Sequence, residues 1–195
     1  MVAVLIAVLA ASCSSTPVRD VAVRDESAPP VDTPRVELAP VEVDPAAQVG
    51  YEDGAVTSSC FVYRAPDPSW HLVDGSQGCA TGVAFGDDAL SVVQVRAMTE
   101  TGSIDEIAER FVAEYSEGET TALHLGGLDV VRAVVPWEGT GLSFASYVVA
   151  YPDSGLSGGG SPVTTISVTT MSSPEYEGMV AAVLESLTRP DGSPL

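Results

Sequence analysis

The segment Ser103–Gly118, SIDEIAERFVAEYSEG, decides the fold. Ser103 and Glu106 have the spacing of a capping box, in which a serine hydroxyl and a glutamate carboxylate each satisfy a backbone N–H left free by the first helical turn. Ile104, Ile107, Ala108, Phe111, Val112 and Tyr115 follow at i, i+3, i+4, i+7, i+8 and i+11, with Asp105, Glu109 and Glu117 mostly away from that face. Gly118 is expected to end the helix. A helix apolar along one stripe must bury that stripe against another element.

Outward from this helix the pattern changes to strands. Toward the C-terminus, Thr121–Leu125 leads through Gly126-Gly127 into Leu128–Val135. Leu142–Tyr151 and Pro162–Met171 follow, long and rich in β-branched or aromatic residues, joined by a glycine-rich loop, Pro152–Ser161, read as flexible. Ser173 and Pro174 then suit the cap and first position of a second helix. Its apolar positions, Tyr176, Met179, Val180, Val183, Leu184 and Leu187, keep the 3–4 spacing, and Pro190 stops it. Toward the N-terminus, Ser58–Arg64 reads as a strand, Pro66–Ser69 as a turn and Trp70–Val73 as a short strand. Gly78–Phe85 and Ala89–Ala97 read as strands joined at Gly86-Asp87-Asp88. Two one-faced helices, each after a block of strands, predict an α+β fold: an antiparallel β-sheet with helices packed on it. The folded domain is placed at 50–190, with 191–195 as a tail.

The order of these elements resembles a known family. The residues that carry the resemblance are Pro66 and Trp70 in the early turn, Leu125-Gly126-Gly127-Leu128-Asp129-Val130-Val131 entering a strand, and the finish Val183-Leu184-Glu185-Ser186-Leu187. Over about 130 residues the chain is similar to the Mog1/PsbP-like α/β/α sandwich domains, in particular the LpqN/LpqT-type lipoproteins of mycobacteria and relatives. These are packing motifs, and the Cys60/Cys79 pair is not among them. The resemblance implies an envelope domain that binds or scaffolds other proteins without catalysis, a role that fold analogy alone does not settle.

Residues 1–12, MVAVLIAVLAAS, are apolar and uncharged. They are too short to span a bilayer, which takes about 20 residues, and suit the apolar region of a signal peptide. Leu9-Ala10-Ala11-Ser12-Cys13 resembles the lipobox of bacterial lipoproteins, which implies cleavage before Cys13 and lipid on its sulfur. Ala10 stands where leucine is commoner. No basic residue precedes the apolar run, so the reading expects further residues upstream of Met1. An ordinary signal peptide with a chance cysteine, and a buried first strand, are the alternatives. Residues 14–49 hold six prolines, seven acids and three arginines, with no aromatic residue and no glycine. With Cys13 they are read as a disordered tether spanning 13–49, with a mean reach of about 35 Å. The expected location is outside the cell, lipid-anchored on the outer face of the membrane.

The chain carries 27 acidic and eight basic side chains, all arginine, for a formal charge of −19. That field repels phosphate backbones and excludes nucleic acid as an expected partner. Of three cysteines, Cys60 and Cys79 remain if Cys13 carries lipid. In an oxidising compartment they are expected to pair, and two buried free thiols are the alternative.

Candidate chemistry is sparse. Gly155-Leu156-Ser157-Gly158-Gly159 matches the G-x-S-x-G signature, but that motif needs a strand before the serine and a helix after it. A flexible loop is the reading preferred for Ser157. The same glycines lack the helix start and lysine of a phosphate loop. His71 and His124 stand 53 positions apart without a nearby acidic motif, and are expected to sit in strands as ordinary side chains. Glu52-Asp53 and Asp87-Asp88 read as solvated turn acids, with a weak calcium site as the alternative. No cofactor or metal is expected. Tyr63, Trp70, Phe144 and Tyr147 are the candidate lining of an apolar ligand face, with core packing as the alternative. The partner expected from the whole is an envelope protein, or a small apolar or lipid ligand.

Overall fold

The computed structural model describes residues 39–86 and 91–195. In chain order its elements are β1 (Val41–Glu42), β2 (Gly50–Glu52), β3 (Ala55–Thr57), β4 (Val62–Arg64), β5 (His71–Leu72), β6 (Ala80–Ala84), β7 (Val92–Met98), α1 (Ile104–Val112), β8 (Glu119–Leu125), β9 (Leu128–Trp137), β10 (Leu142–Ala150), β11 (Leu156–Gly158), β12 (Ser161–Pro162), β13 (Thr165–Met171) and α2 (Pro174–Ser186). The protein is α+β and mostly antiparallel. A seven-stranded sheet of order β5-β6-β7-β13-β10-β9-β8 forms its centre, with every neighbouring pair antiparallel. A small sheet, β2-β3-β4, and a second, β1-β11-β12, flank it.

Alternation along the strands sorts the central sheet into two faces. On one face Val93, Val95, Val130, Tyr147, Val149, Ile166 and Val168 join Val180, Val183 and Leu184 of α2 and Val56 and Tyr63 of the small sheet. On the other face Val131, Ala133 and Val148 meet Ile107 and Ala108 of α1, with Ile104 and Val112 packed beside them. The capping box of α1 forms. The Glu106 amide donates to Ser103 Oγ at 3.2 Å, and the Ser103 amide donates to Glu106 Oε2 at 2.8 Å. Ser173 caps α2 from one side only, its hydroxyl accepting from the Tyr176 amide at 3.4 Å, with Pro174 in the first turn.

Several boundaries differ from the sequence reading. Helix α1 stops at Val112, well before Gly118. The chain must bend back to enter β8, and it does so by turns from Val112 to Tyr115 and from Tyr115 to Gly118. Gly118 serves that bend through close approach: a Cβ there would lie 2.7 Å from Val112 Cβ. Ser58–Phe61 is a turn rather than strand, closed by the Ser58 hydroxyl, which accepts from the Cys60 and Phe61 amides. The loop Pro152–Ser161 contains β11, which pairs in parallel with β1. Residues 39–49 therefore belong to the folded unit and not to a tether: the Val41 and Val43 amides donate to Gly155 and Ser157 carbonyls, and Val43 and Val49 pack on the core. The 191–195 tail is also corrected. Thr188 bridges Val62 and Pro194, Arg189 Nε donates to the Pro194 carbonyl, and Leu195 packs on the core. The signal segment, Cys13, the rest of the tether, and Asp87-Asp88 lie outside the described residues.

Candidate functional site

The α1 face of the sheet is covered over only part of its width. Helix α1 lies on β8, β9 and β10. Beyond it, the register defines rungs running from β9 across β10 and β13 to β7. The upper rung is apolar, Val135–Phe144–Met171, with Val92 at the same level on β7. The next is Ala133–Ser146–Thr169–Gln94, and the one below is Val131–Val148–Ser167–Arg96. The β9 and β10 side of this surface is thus largely aliphatic under α1, and the β13 and β7 side, beyond the helix, carries hydroxyls, an amide and a guanidinium, exposed at Gln94 and Arg96 and buried at Ser167.

Between α1 and that second side runs a groove of about 450 Å³, open to solvent, with Gln94, Arg96, Ser146, Ser167 and Thr169 on its floor. Phe111 and Tyr115, ring centroids 6.3 Å apart, stand on its α1 side. A second depression of about 290 Å³ continues from it over the apolar rung and shares Gln94, Phe111, Tyr115 and Thr169 with it. One rung beyond Val135–Phe144 on β9 and β10, Trp137 and Leu142 are direct cross-strand partners and remain about two-fifths exposed. Trp137 also packs on Phe144, with centroids 5.2 Å apart. Phe111, Tyr115, Trp137 and Leu142 thus group partly exposed apolar surface on one face of the sheet, in contrast to the scatter of single apolar residues normal on a protein.

The four aromatic residues proposed from sequence do not share a face. Tyr63, Trp70 and Tyr147 are core residues on the α2 side. The Tyr63 hydroxyl is within hydrogen-bond distance of Thr81 Oγ1 at 3.0 Å, and the Tyr51 hydroxyl donates to the Trp70 carbonyl. Burial raises the Tyr63 and Tyr147 phenols above their ordinary range. Phe144 alone lies on the groove side. The physical reason is parity: Phe144 and Tyr147 stand three apart in one strand and point to opposite faces.

Cys60 and Cys79 are joined by a disulfide. Ser157 is a buried strand residue whose hydroxyl donates to the Glu42 carboxylate at 2.5 Å. That hydrogen bond leads the effects holding the Glu42 carboxyl below its usual range, joined by the Gly159 and Gly160 amides, so Glu42 is a poor proton acceptor for the serine. The two histidines are separated by the whole sheet, since His71 lies in edge strand β5 and His124 in edge strand β8. His124 Nδ1 is 2.9 Å from Asp129 Oδ1, with both side chains well exposed. Glu52-Asp53 opens the β2–β3 turn, with positive φ at Asp53 and Gly54. Among the described residues no group of three or more His, Cys, Asp and Glu could hold a metal.

The sequence reading missed Gln94, Arg96, Ser167 and Thr169. They are the polar positions of β7 and β13, a signal that was present in the alternation but does not say whether a helix covers them. Phe111 and Tyr115 continue the apolar stripe that α1 is expected to bury, yet both stay nearly two-fifths exposed. Compared with known proteins, the chain matches no family model and no curated protein.

Proposed function

We propose that this is an exported lipoprotein, anchored to the outer face of a membrane through lipid on Cys13, whose folded part is a non-catalytic protein-interaction module of the cell envelope. The observation that carries the reading is the partly covered α1 face with Phe111, Tyr115, Phe144 and Trp137 along it. Aromatic side chains supply large contact area at low entropic cost and dominate protein interfaces. The Cys60–Cys79 bond fits an oxidising compartment. Helices on both faces of an antiparallel sheet suit a Mog1/PsbP-like α/β/α sandwich of the LpqN/LpqT type, which is the family proposed for it.

Two measurements test this. Labelling with a fatty-acid analogue is expected to mark the wild type and not Cys13→Ala; label persisting in the variant rejects the anchor. A photo-crosslinking residue at position 137 is expected to trap a discrete envelope protein that the same residue at position 64 does not. Identical blank lanes at both positions reject the interaction surface.

A second reading is a carrier of a small apolar ligand. The groove volume of about 450 Å³ favours it, because ligand sites commonly fall in the range of about 300–1,000 Å³.

A further inference from the structure

We infer that the groove between α1 and the β13 and β7 side of the sheet binds a small organic anion with an aromatic or aliphatic body, its acidic group held at Arg96 and its body lying toward Phe144. This rests on the small-ligand reading above and adds a charge to it.

Arg96 projects from the middle of β7, flanked in register by Ala80 on β6 and Ser167 on β13. Both neighbours are small, so its exposed side chain is not overhung by either. Its guanidinium makes no hydrogen bond or ion pair with another described residue. Its counterparts do: Arg110 donates to Glu100 at 3.1 Å and to the Thr101 carbonyl at 2.8 Å, Arg132 donates to Ser172 Oγ at 3.0 Å, and Arg189 donates to three carbonyls. Arg64 also lacks a side-chain partner, but it stands on β4, in another sheet. In a chain with 27 carboxylate side chains against eight arginines, a guanidinium inside a groove and free of every carboxylate among the described residues is available to a ligand. Its planar fork pairs with two oxygens of a carboxylate, phosphate or sulfonate.

The rest of the groove defines the body of that ligand. Next to Arg96, Gln94 offers an exposed side-chain donor and Ser167 a largely buried hydroxyl, while Thr169 Oγ1 donates to Ser146 Oγ at 3.1 Å. Four residues along β7, about 13 Å at strand rise, the surface becomes the apolar rung of Val92, Met171 and Phe144 under Phe111 and Tyr115. Glu100 on the wall is engaged by Arg110, and Glu114 is the remaining carboxylate there. The overall charge of −19 works against extended polyanions, so a compact ligand with one acidic group and an apolar body is the class that fits.

Fluorescence titration of the full chain with two probes tests this: 8-anilinonaphthalene-1-sulfonate, which is anionic, and N-phenyl-1-naphthylamine, which is neutral. Both are expected to bind saturably at one site. Arg96→Gln is expected to weaken the anionic probe about tenfold or more, as loss of a charge-assisted contact does, and to leave the neutral probe within twofold. Arg64→Gln removes the same charge from β4 and is expected to change neither. Phe144→Ala weakens both, and Tyr115→Ser repeats that test on an exposed residue should Phe144→Ala fold poorly. An anionic probe indifferent to Arg96→Gln, or equally sensitive to Arg64→Gln, overturns the charge assignment while retained binding of the neutral probe leaves the apolar-ligand reading standing. Saturable binding of neither probe overturns both.

Discussion

The Tyr151 hydroxyl donates to the Cys60 carbonyl at 2.7 Å, across 91 positions of sequence. Both residues are fully buried. The bond fastens the residue that follows β10 to the turn carrying the disulfide. Tyr151→Phe removes only the donor and strands a buried carbonyl, which costs about 1–3 kcal/mol. Urea unfolding is expected to show a lower midpoint with an unchanged m-value.

Burial raises the phenols of Tyr63, Tyr147 and Tyr151 above their ordinary range. Desolvation disfavours the phenolate, so folding binds the proton more tightly than the unfolded chain does. The sign follows from linkage: a raised folded pKa gives stability that is present in full below the unfolded value of about 10 and is lost as pH rises beyond it. Unfolding free energy is therefore expected to fall steeply above about pH 10. Tyr63→Phe, compared by its slope in that window rather than by its absolute stability, is expected to flatten the decline. An unchanged alkaline slope rejects the assignment to Tyr63.

The Cys60–Cys79 bond closes a short loop, with a sequence separation of 19. Chain-entropy reasoning puts its contribution at about 3 kcal/mol. The double variant Cys60→Ala, Cys79→Ala is expected to lose about that much in denaturant unfolding, and reductant is expected to destabilise the wild type but not the variant.

Glu42 is the clasp of β1. Its carboxylate accepts from Ser157 Oγ, and the β1–β11 pairing places it there. Glu42→Gln is expected to speed hydrogen exchange at the Val41 and Val43 amides, which donate to the Gly155 and Ser157 carbonyls, while amides of β13 keep their protection. Acid acts in the same direction. A carboxyl held below its usual range contributes above the unfolded pKa and loses that contribution as pH falls through the folded value, so β1 in the wild type is expected to loosen only below the ordinary carboxylate range.

The helices and long strands were legible because each carries several agreeing signals. Ser103 with Glu106, and Ser173 with Pro174, mark helix starts at the same places as the apolar spacing. The flanking strands β1, β2 and β3 carry none, since two or three residues hold no measurable period. Pro40 and Pro45 argued for an unpaired tether, yet β1 falls between them and needs only a short ladder. The site was less legible for a different reason. Alternation separates the two faces of β10, and so could have parted Phe144 from Tyr147, but it does not say how far α1 extends over β13 and β7. That depends on a helix of nine residues ending at Val112, which no local pattern near Arg96 reports.

Gly126 and Gly127, adjacent in the β8–β9 turn, are expected to respond differently to the same substitution. Both have positive φ, at 59° and 81°. An alanine at either position is therefore strained by about 1 kcal/mol. At Gly127 nothing lies within 4 Å of the added Cβ, so that strain is the whole effect. At Gly126 the Cβ would stand 2.6 Å from Leu184 Cβ, 2.7 Å from the Ala181 carbonyl oxygen and 2.8 Å from the Glu185 amide nitrogen. Two of these are backbone atoms of α2 and cannot rotate aside. The turn must then lift off the helix and uncover Leu184, adding about 1–3 kcal/mol of overpacking. Gly127→Ala is expected to lower the thermal midpoint slightly and Gly126→Ala substantially more, and equal midpoints for the two variants would show that the turn does not rest on α2.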